Sequence, residues 1–376
     1  MTFKFESSSG MDQLKKFFES GNINFLIGSG SAIKSIDSLG NLEVELTSNM
    51  RDYQGDHSES TRDLILEQLN GFLTSIKYPN EILLNGRFGE FENINQTLLE
   101  YIRFLRVIYN LLLNRGANKL PKKINVFTTN YDLFFEHALE TLKIPYNDGG
   151  TGVFKRNFSS KNFQRRMYKL SDSYSYQYEE PVINIIKLHG SINWSIERDS
   201  VLISNDILVP EITKNCIDNN SYIKESINFP IILPTKQKFV RTVMEHIYYD
   251  LSRLYSNELE REQSVLFAFG FSFEDEHIRS ITKRALGNPH LTLIIFPFSF
   301  EDERKLLAHF ETHSNVKVVR INSTQSNAQQ IELVQYSLLF ANGEMDNSKR
   351  SCIDFELFSK IFEHIFENVS ESKVFS

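Results

Sequence analysis

With 376 residues, 41% of them hydrophobic, the chain has the material for a sizeable core and fits one large domain with an inserted module. A charged fraction of 24% is ordinary for a soluble globular protein, and a net charge of −7 argues against a broad nucleic-acid footprint, so no direct nucleic-acid binding is expected. No apolar stretch approaches the ~20 residues of a membrane span, and the start, Met1-Thr2-Phe3-Lys4-Phe5-Glu6, lacks the charged head and apolar core of a signal peptide, so the expected location is cytoplasmic, with no membrane contact.

Residues 11–20 read as a helix with Leu14, Phe17 and Phe18 on one side. Ile23 to Ile27 is a short apolar run entering Gly28-Ser29-Gly30-Ser31, hence a first strand and turn. A polar stretch from Asn41 to Ser60 shows no clear period. Residues 61–73 and 91–113 then read as helices; in the second, Ile94, Leu98, Ile102, Leu105, Ile108 and Leu112 recur at steps of three and four. Ile124 to Thr128 is a strand leading into Thr129-Asn130-Tyr131-Asp132, and residues 131–142 a helix. Residues 147–180, rich in Asn, Ser, Tyr and Gly, read as a loop-rich excursion. Val182 to Leu188 is a strand ending at His189-Gly190. Residues 198–228 read as irregular, 231–233 as a short strand and 236–257 as a helix.

The last third alternates cleanly: strands at 265–269, 291–296 and 316–321, helices at 275–286, 301–311 and 326–339. Alternation with continuously apolar strands predicts an α/β fold, a doubly wound, Rossmann-like parallel sheet with helices on both faces. The expected organisation is one domain over 11–340, with a mostly helical insertion at about 35–120, followed by a helical tail over 341–376. In the tail, Phe355, Phe358, Phe362 and Phe366 form one stripe over 353–368. That stripe reads as core packing or as an oligomer or partner face.

Four motifs lie at or just past strand ends, where an open α/β sheet places its ligands. Gly28-Ser29-Gly30-Ser31 lets backbone approach a pyrophosphate, with a following helix N-terminus as an aid; Ile33 stands where a third fingerprint glycine belongs, and a plain tight turn reads equally well. Thr128, Asn130 and Asp132 can cap the next helix. Alternatively, Asn130 presents its amide to a ribose or a water, and Asp132 orients its neighbours or meets a nicotinamide. His189 stands at the carboxyl edge of the sheet, where an imidazole can act as a base near neutral pH. His277 reads as helix packing and Trp194 as packing or a pocket floor. Gly270 and Ser272 repeat the close-approach turn; Asp275 either caps the following helix or binds a ribose.

In this order the four motifs resemble the SIR2-like family, the sirtuin-related NAD-binding proteins, over roughly residues 20–325. Gly28-Ser29-Gly30 stands for the family's Gly-Ala-Gly turn. Thr128, Asn130 and Asp132 match its Thr-Gln-Asn-x-Asp element with Thr129 in place of Gln, His189-Gly190 matches the catalytic His-Gly pair, and Gly270-Phe271-Ser272 matches Gly-Thr-Ser except at its centre. Residues 270–278, Gly-Phe-Ser-Phe-Glu-Asp-Glu-His-Ile, look most like the bacterial antiphage-defence branch. The resemblance implies NAD⁺ as substrate, cleaved to nicotinamide and ADP-ribose, with phosphates at Gly28, Ser29, Gly30 and Ser31. Thr128, Gly270, Ser272 and Asp275 would make further cofactor contacts. Asn130, His189 and Asp132 would carry the chemistry.

It also implies gating by a homo-oligomer, or by a partner such as a HerA-type ATPase or an Argonaute-like protein, through the insertion or the Phe stripe. The two cysteines, Cys216 and Cys352, cannot build the four-cysteine zinc module of sirtuin deacylases, so no zinc is expected. Two other classes stay open: an NAD-dependent deacylase or ADP-ribosyltransferase, and a sensing module without catalysis.

Overall fold

The computed structural model describes residues 9–36, 42–115, 120–171, 176–197, 200–207, 209–210, 212–218, 231, 242–310, 312–323, 329–335 and 352–374. Helices are α1 Ser9–Ser20, α2 Leu42–Asp56, α3 Glu59–Leu84, α4 Glu92–Leu113, α5 Phe134–Leu142, α6 Lys214–Asp218, α7 Thr242–Leu259, α8 Glu276–Ala285, α9 Phe300–His309 and α10 Phe355–Val374. The main strands are β1 Asn22–Ile27, β2 Lys123–Thr128, β3 Tyr146–Asn147, β8 Val182–Lys187, β11 Ser264–Phe269, β12 Thr292–Phe296, β13 Val316–Ser323 and β14 Gln329–Gln335. Among the described residues six short strands lie outside the main sheet: β4 Gly150–Thr151, β5 Arg156–Phe158, β9 Trp194–Glu197 and β10 Ser200–Ile203 in a second sheet, and β6 Met167–Leu170 with β7 Gln177–Glu180 as a separate pair.

The main sheet runs β14-β13-β12-β11-β1-β2-β8-β3. Seven strands are parallel and β14 pairs antiparallel at the edge, so the fold is Rossmann-like. Winding goes outward from β1 through β2 to β8, then returns to β11 and goes outward the other way. The strand order therefore reverses between β1 and β11, the switch point at which such sheets leave a crevice. Strand alternation sorts the core. Phe25, Ile27, Val126, Ile185, Phe267 and Phe296 pack with α1, α4, α5 and α10 on one face. Leu26, Phe127, Ile186, Leu266 and Ile295 pack with α7, α8 and α9 on the other.

The C-terminal stripe belongs to this core. Phe355, Phe358 and Phe362 are buried, with Phe358 4.7 Å from Phe269 and from Phe296 and Phe362 5.4 Å from Phe18 between ring centroids. These three rings cannot serve as the oligomer or partner face; the side chain of Phe366 lies outside the described residues.

Other sequence expectations are corrected. The polar stretch 41–60 holds helix α2. Its apolar stripe is one residue wide, with Leu46 and Met50 buried and Leu42 and Tyr53 packed at the margin, too narrow to show as a period. Helix α3 extends to Leu84, well past residue 73. Residues 329–335 are not helical. Gln330-Ile331-Glu332-Leu333 alternates with period two, and Ile331 and Leu333 register with Ile321 and Val319 in a hairpin; the rest of 326–339 lies outside the described residues. The excursion at 147–180 contains strands β4 and β5, and the irregular stretch contains β10 and α6. Together β4-β5-β10-β9 make a four-stranded antiparallel sheet over Phe158, Phe163 and Trp194. Of 231–233, Ile231 forms a single antiparallel bridge to Gly190, and the other two residues lie outside the described residues. Residues 236–241, at the start of the expected 236–257 helix, also lie outside them.

Candidate active site

Register places the four motifs on one line. Phe269, Ile27, Thr128 and Lys187 are Cα partners across β11, β1, β2 and β8. Each motif begins at, or directly after, that row. At about 4.8 Å per strand the row spans ~14 Å, a length an extended dinucleotide can follow.

The two glycine turns pack on each other at the switch point. Gly28 N donates to Phe269 O (3.0 Å) and Gly30 N to Gly270 O (3.1 Å). A Cβ on Gly30 would stand 2.7 Å from Gly270 Cα; one on Gly270, whose φ is +64°, would stand 2.9 Å from Gly30 Cα. Their lack of side chains is required by this backbone contact, with or without a ligand. The turn at Ser29–Ser31 is a single 3-10 turn, so the expected helix N-terminus does not follow it; the next helix is α2. Ser29 is exposed at the tip. Ser31 is buried and donates to Gly28 O (2.9 Å).

Asn130 closes a neutral network on the α4 face. Its Nδ2 donates to Ser31 Oγ (3.2 Å) and Tyr101 Oη (3.4 Å), and Ser31 Oγ meets Tyr101 Oη at 2.7 Å. Thr128 Oγ1 accepts from Asn130 N (3.0 Å), fixing the turn. Tyr101 is wholly buried, and that burial, then the Asp132 charge, pushes its phenol far above the usual range; it stays neutral. With its nitrogen engaged, the Asn130 amide presents Oδ1, which has no hydrogen-bond partner among the described residues.

Asp132 turns away from this network. Its Oδ1 accepts from Phe134 N (3.2 Å), an Asx turn one residue before the N-cap Leu133 that satisfies the first N–H of α5. Asn80 of α3 shares that work, accepting from Leu133 N at 2.7 Å. Beneath them lies Lys187, 3% exposed, bonded to the Asp132 carbonyl, to Ser191 Oγ (3.1 Å) and to Glu136 Oε1 (2.9 Å). Burial raises the carboxyl pKa values of both Asp132 and Glu136, and Lys187 opposes that rise.

His189 faces the opposite layer. Gly190, at φ +87°, turns the chain directly after it. The imidazole Nε2 lies 3.3 Å from Asp275 Oδ2, with the two side chains 15% and 11% exposed. Asp275 also caps α8, its Oδ1 accepting from Ile278 N (3.0 Å). Tyr248 of α7 donates to His189 O (3.4 Å), and the Tyr131 ring stands 6.5 Å from the imidazole. Ser272 Oγ accepts from Glu274 N (3.3 Å). Phe273, buried between Phe271 and Phe310, adopts φ +58°, an uncommon conformation worth ~1–3 kcal/mol that its packing sustains. His277 meets Ser252 Oγ at 3.2 Å on the surface, and Trp194 packs on Phe158 at 4.3 Å, so neither reaches the row.

A third apolar cluster roofs this edge. Tyr131, Leu133 and Ile192, which interleave with the motif residues, pack against Leu46, Met50, Leu69, Leu73 and Ile217 of α2, α3 and α6. Part of the insertion thus covers the strand ends, while α4 belongs to the sheet core.

The sequence gives no sign of roles for Tyr101, Glu136 and Asn80, and Lys187, which opens the motif Lys187-Leu188-His189-Gly190, is assigned none. Lys187 carried a signal: a lysine inside the apolar run Val182–Leu188 must find a buried partner. Tyr101 carried none, because its helical position is indistinguishable from an ordinary core aromatic. Among the described residues no three His, Cys, Asp or Glu side chains group as metal ligands, and no helix is long and apolar enough to cross a membrane. The family model described as SIR2-like domain matches residues 124–316. No curated protein matches the chain.

Proposed function

Because the chain belongs to the SIR2-like domain family, whose activities are NAD-related, we propose that it hydrolyses NAD⁺ to nicotinamide and ADP-ribose. The observation that carries this reading is the single row from which the glycine turns, Asn130 and His189 all project. Pyrophosphate binding falls to the turn at Gly28, Ser29 and Gly30, with the Ser29 hydroxyl as its exposed donor. Ribose contacts fall to Ser272 and the Gly270 turn.

Water attacks C1′ of the nicotinamide ribose as the C1′–N bond breaks. Nicotinamide leaves neutral, taking the bond's electron pair onto its ring nitrogen, so little acid catalysis is needed. Asn130 Oδ1 accepts a hydrogen bond from the water or a ribose hydroxyl and so orients it. His189 takes the water's proton and later returns it to solvent. A positioned general base contributes typically ~10²–10⁴-fold.

Nothing in this chemistry needs a peptide acceptor. Free hydrolysis would drain a cell's NAD, so we place the chain as a gated effector of antiphage defence, switched by self-assembly or a partner protein. The roof made by α2, α3 and α6 is the surface through which such a switch would act.

The test is incubation of purified protein with NAD⁺ at a series of protein concentrations, with products resolved by chromatography. Equimolar nicotinamide and ADP-ribose, with specific activity rising with concentration, is the expected result. Nicotinamide release only with an acylated peptide or an ADP-ribose acceptor would replace hydrolysis by transfer. Saturable NAD⁺ binding without nicotinamide release would leave a sensing module.

A further inference from the structure

We infer that Asp275 is the positioning residue of His189: the two form a carboxylate–imidazole pair in which Asp275 fixes the ring proton on Nε2 and leaves Nδ1 as the base. The kinetic part of this inference rests on the hydrolytic reading above; the structural part does not.

By sequence Asp275 reads as a helix cap or a ribose contact. Its two carboxylate oxygens have separate jobs. Oδ1 receives Ile278 N at 3.0 Å and caps α8; Oδ2 stands 3.3 Å from His189 Nε2. The carboxylate is thereby fixed from behind by a helix and faces the imidazole in front. The loop that delivers it is itself held: Phe273 is buried, and Arg279 Nη1 donates to Phe273 O at 2.7 Å. On the other side the His189 backbone is tied by Tyr248 through its carbonyl and by the bridge from Gly190 to Ile231. Both members of the pair are anchored independently, so the contact sets the ring's orientation.

A carboxylate accepts hydrogen bonds and cannot donate them, so the ring nitrogen facing it must carry the proton. Nδ1 then holds a free lone pair, and it has no partner among the described residues. When water attacks the ribose, Nδ1 gains the proton and the ring becomes a cation beside a negative carboxylate.

The test separates this role from the cap. In Asp275→Asn the side-chain oxygen still caps α8, since Asn is as good an N-cap as Asp. Its NH₂ now faces Nε2, which must accept, and the ring proton moves to Nδ1. The expected result is a fall in kcat for nicotinamide release of about 10²-fold or more, with KM within about threefold and Tm within a few degrees of wild type. An unchanged kcat overturns the inference, and so does a raised KM at unchanged kcat, which would restore Asp275 as a ribose contact.

A second measurement needs no activity: the ¹⁵N imidazole spectrum at about pH 8, where an ordinary His is neutral, with the His189 signal identified by its loss in His189→Gln. Wild type is expected to show Nε2–H and Asp275→Asn to show Nδ1–H. The same tautomer in both proteins overturns the pair, whatever reaction the enzyme performs. Full NADase activity in His189→Gln, together with the tautomer change between wild type and Asp275→Asn, would instead remove the hydrolytic role of His189 and leave the pair standing.

Discussion

The two flanks of the carboxyl edge are held by different physics. On the β1–β2 side, Asn130 sits in a closed set of neutral hydrogen bonds among Ser31, Tyr101 and Thr128, all buried. On the β8 side, His189 is held through its backbone and by one partly exposed carboxylate. A neutral amide needs only a fixed orientation, which several short contacts supply redundantly. An imidazole that gains and loses a proton needs a charged neighbour and access to water. In the proposed reaction the buried side supplies geometry and the half-open side proton transfer.

The largest effects should come from removing the reactive groups of either flank. His189→Ala deletes the base and should lower nicotinamide release by about 10²–10⁴-fold, with the fold intact by circular dichroism; retention of full activity would unseat the assignment. Next comes Lys187→Met. It leaves Glu136 buried without its cation, and Glu136 Oε2 already lacks a hydrogen-bond partner. Breaking a buried pair from one side costs about 3–5 kcal/mol, to be read as a shift of the urea midpoint. Lys187→Met with Glu136→Gln should recover most of it. A loss below ~1 kcal/mol in the single variant would show that the pair does not anchor α5 to β8.

What the sequence made legible follows from this division. Strands covered on both faces announce themselves as apolar runs, so β1, β2, β8, β11, β12 and β13 were found close to their bounds, and with them the motif positions. Residues at strand ends are read directly from the chain, which is why His189, Asn130 and the glycine turns stood out. Their partners were not legible. Tyr101 comes from α4, about thirty residues before Asn130, and Asp275 lies 86 positions after His189 (275 − 189). No local pattern marks such pairings, which only the crossing of the sheet creates. β14 was misread because the βα alternation before it set an expectation that its period-two pattern contradicts. Helix α2 was missed because a helix that buries one narrow stripe looks like a polar loop.

At the switch point between the flanks, Gly270→Ala should cost about 1–3 kcal/mol. The new Cβ meets Gly30 Cα while the backbone sits at φ +64°. Gly30→Ala meets the same wall without the positive φ, so its denaturation midpoint should fall less. Equal losses would mean that contact alone, without backbone conformation, sets the requirement for glycine.

The smallest effect sharpens the comparison most. Tyr101→Phe removes one hydroxyl from the neutral network at a cost near ~1 kcal/mol, which corresponds to less than tenfold in rate if all of it reaches the transition state. Asn130 Nδ2 keeps Ser31 Oγ as an acceptor, and Ser31 keeps Gly28 O. Ser31→Ala likewise leaves Tyr101 Oη. Either single variant should thus hold the amide in place, whereas the double variant releases it. Nicotinamide release in the double variant should fall by more than the product of the single effects, with a coupling of about 0.5–3 kcal/mol. Simple additivity would mean that Asn130 is oriented by its Thr128 turn alone, and that the buried flank lacks the redundancy that sets it apart from the His189 side.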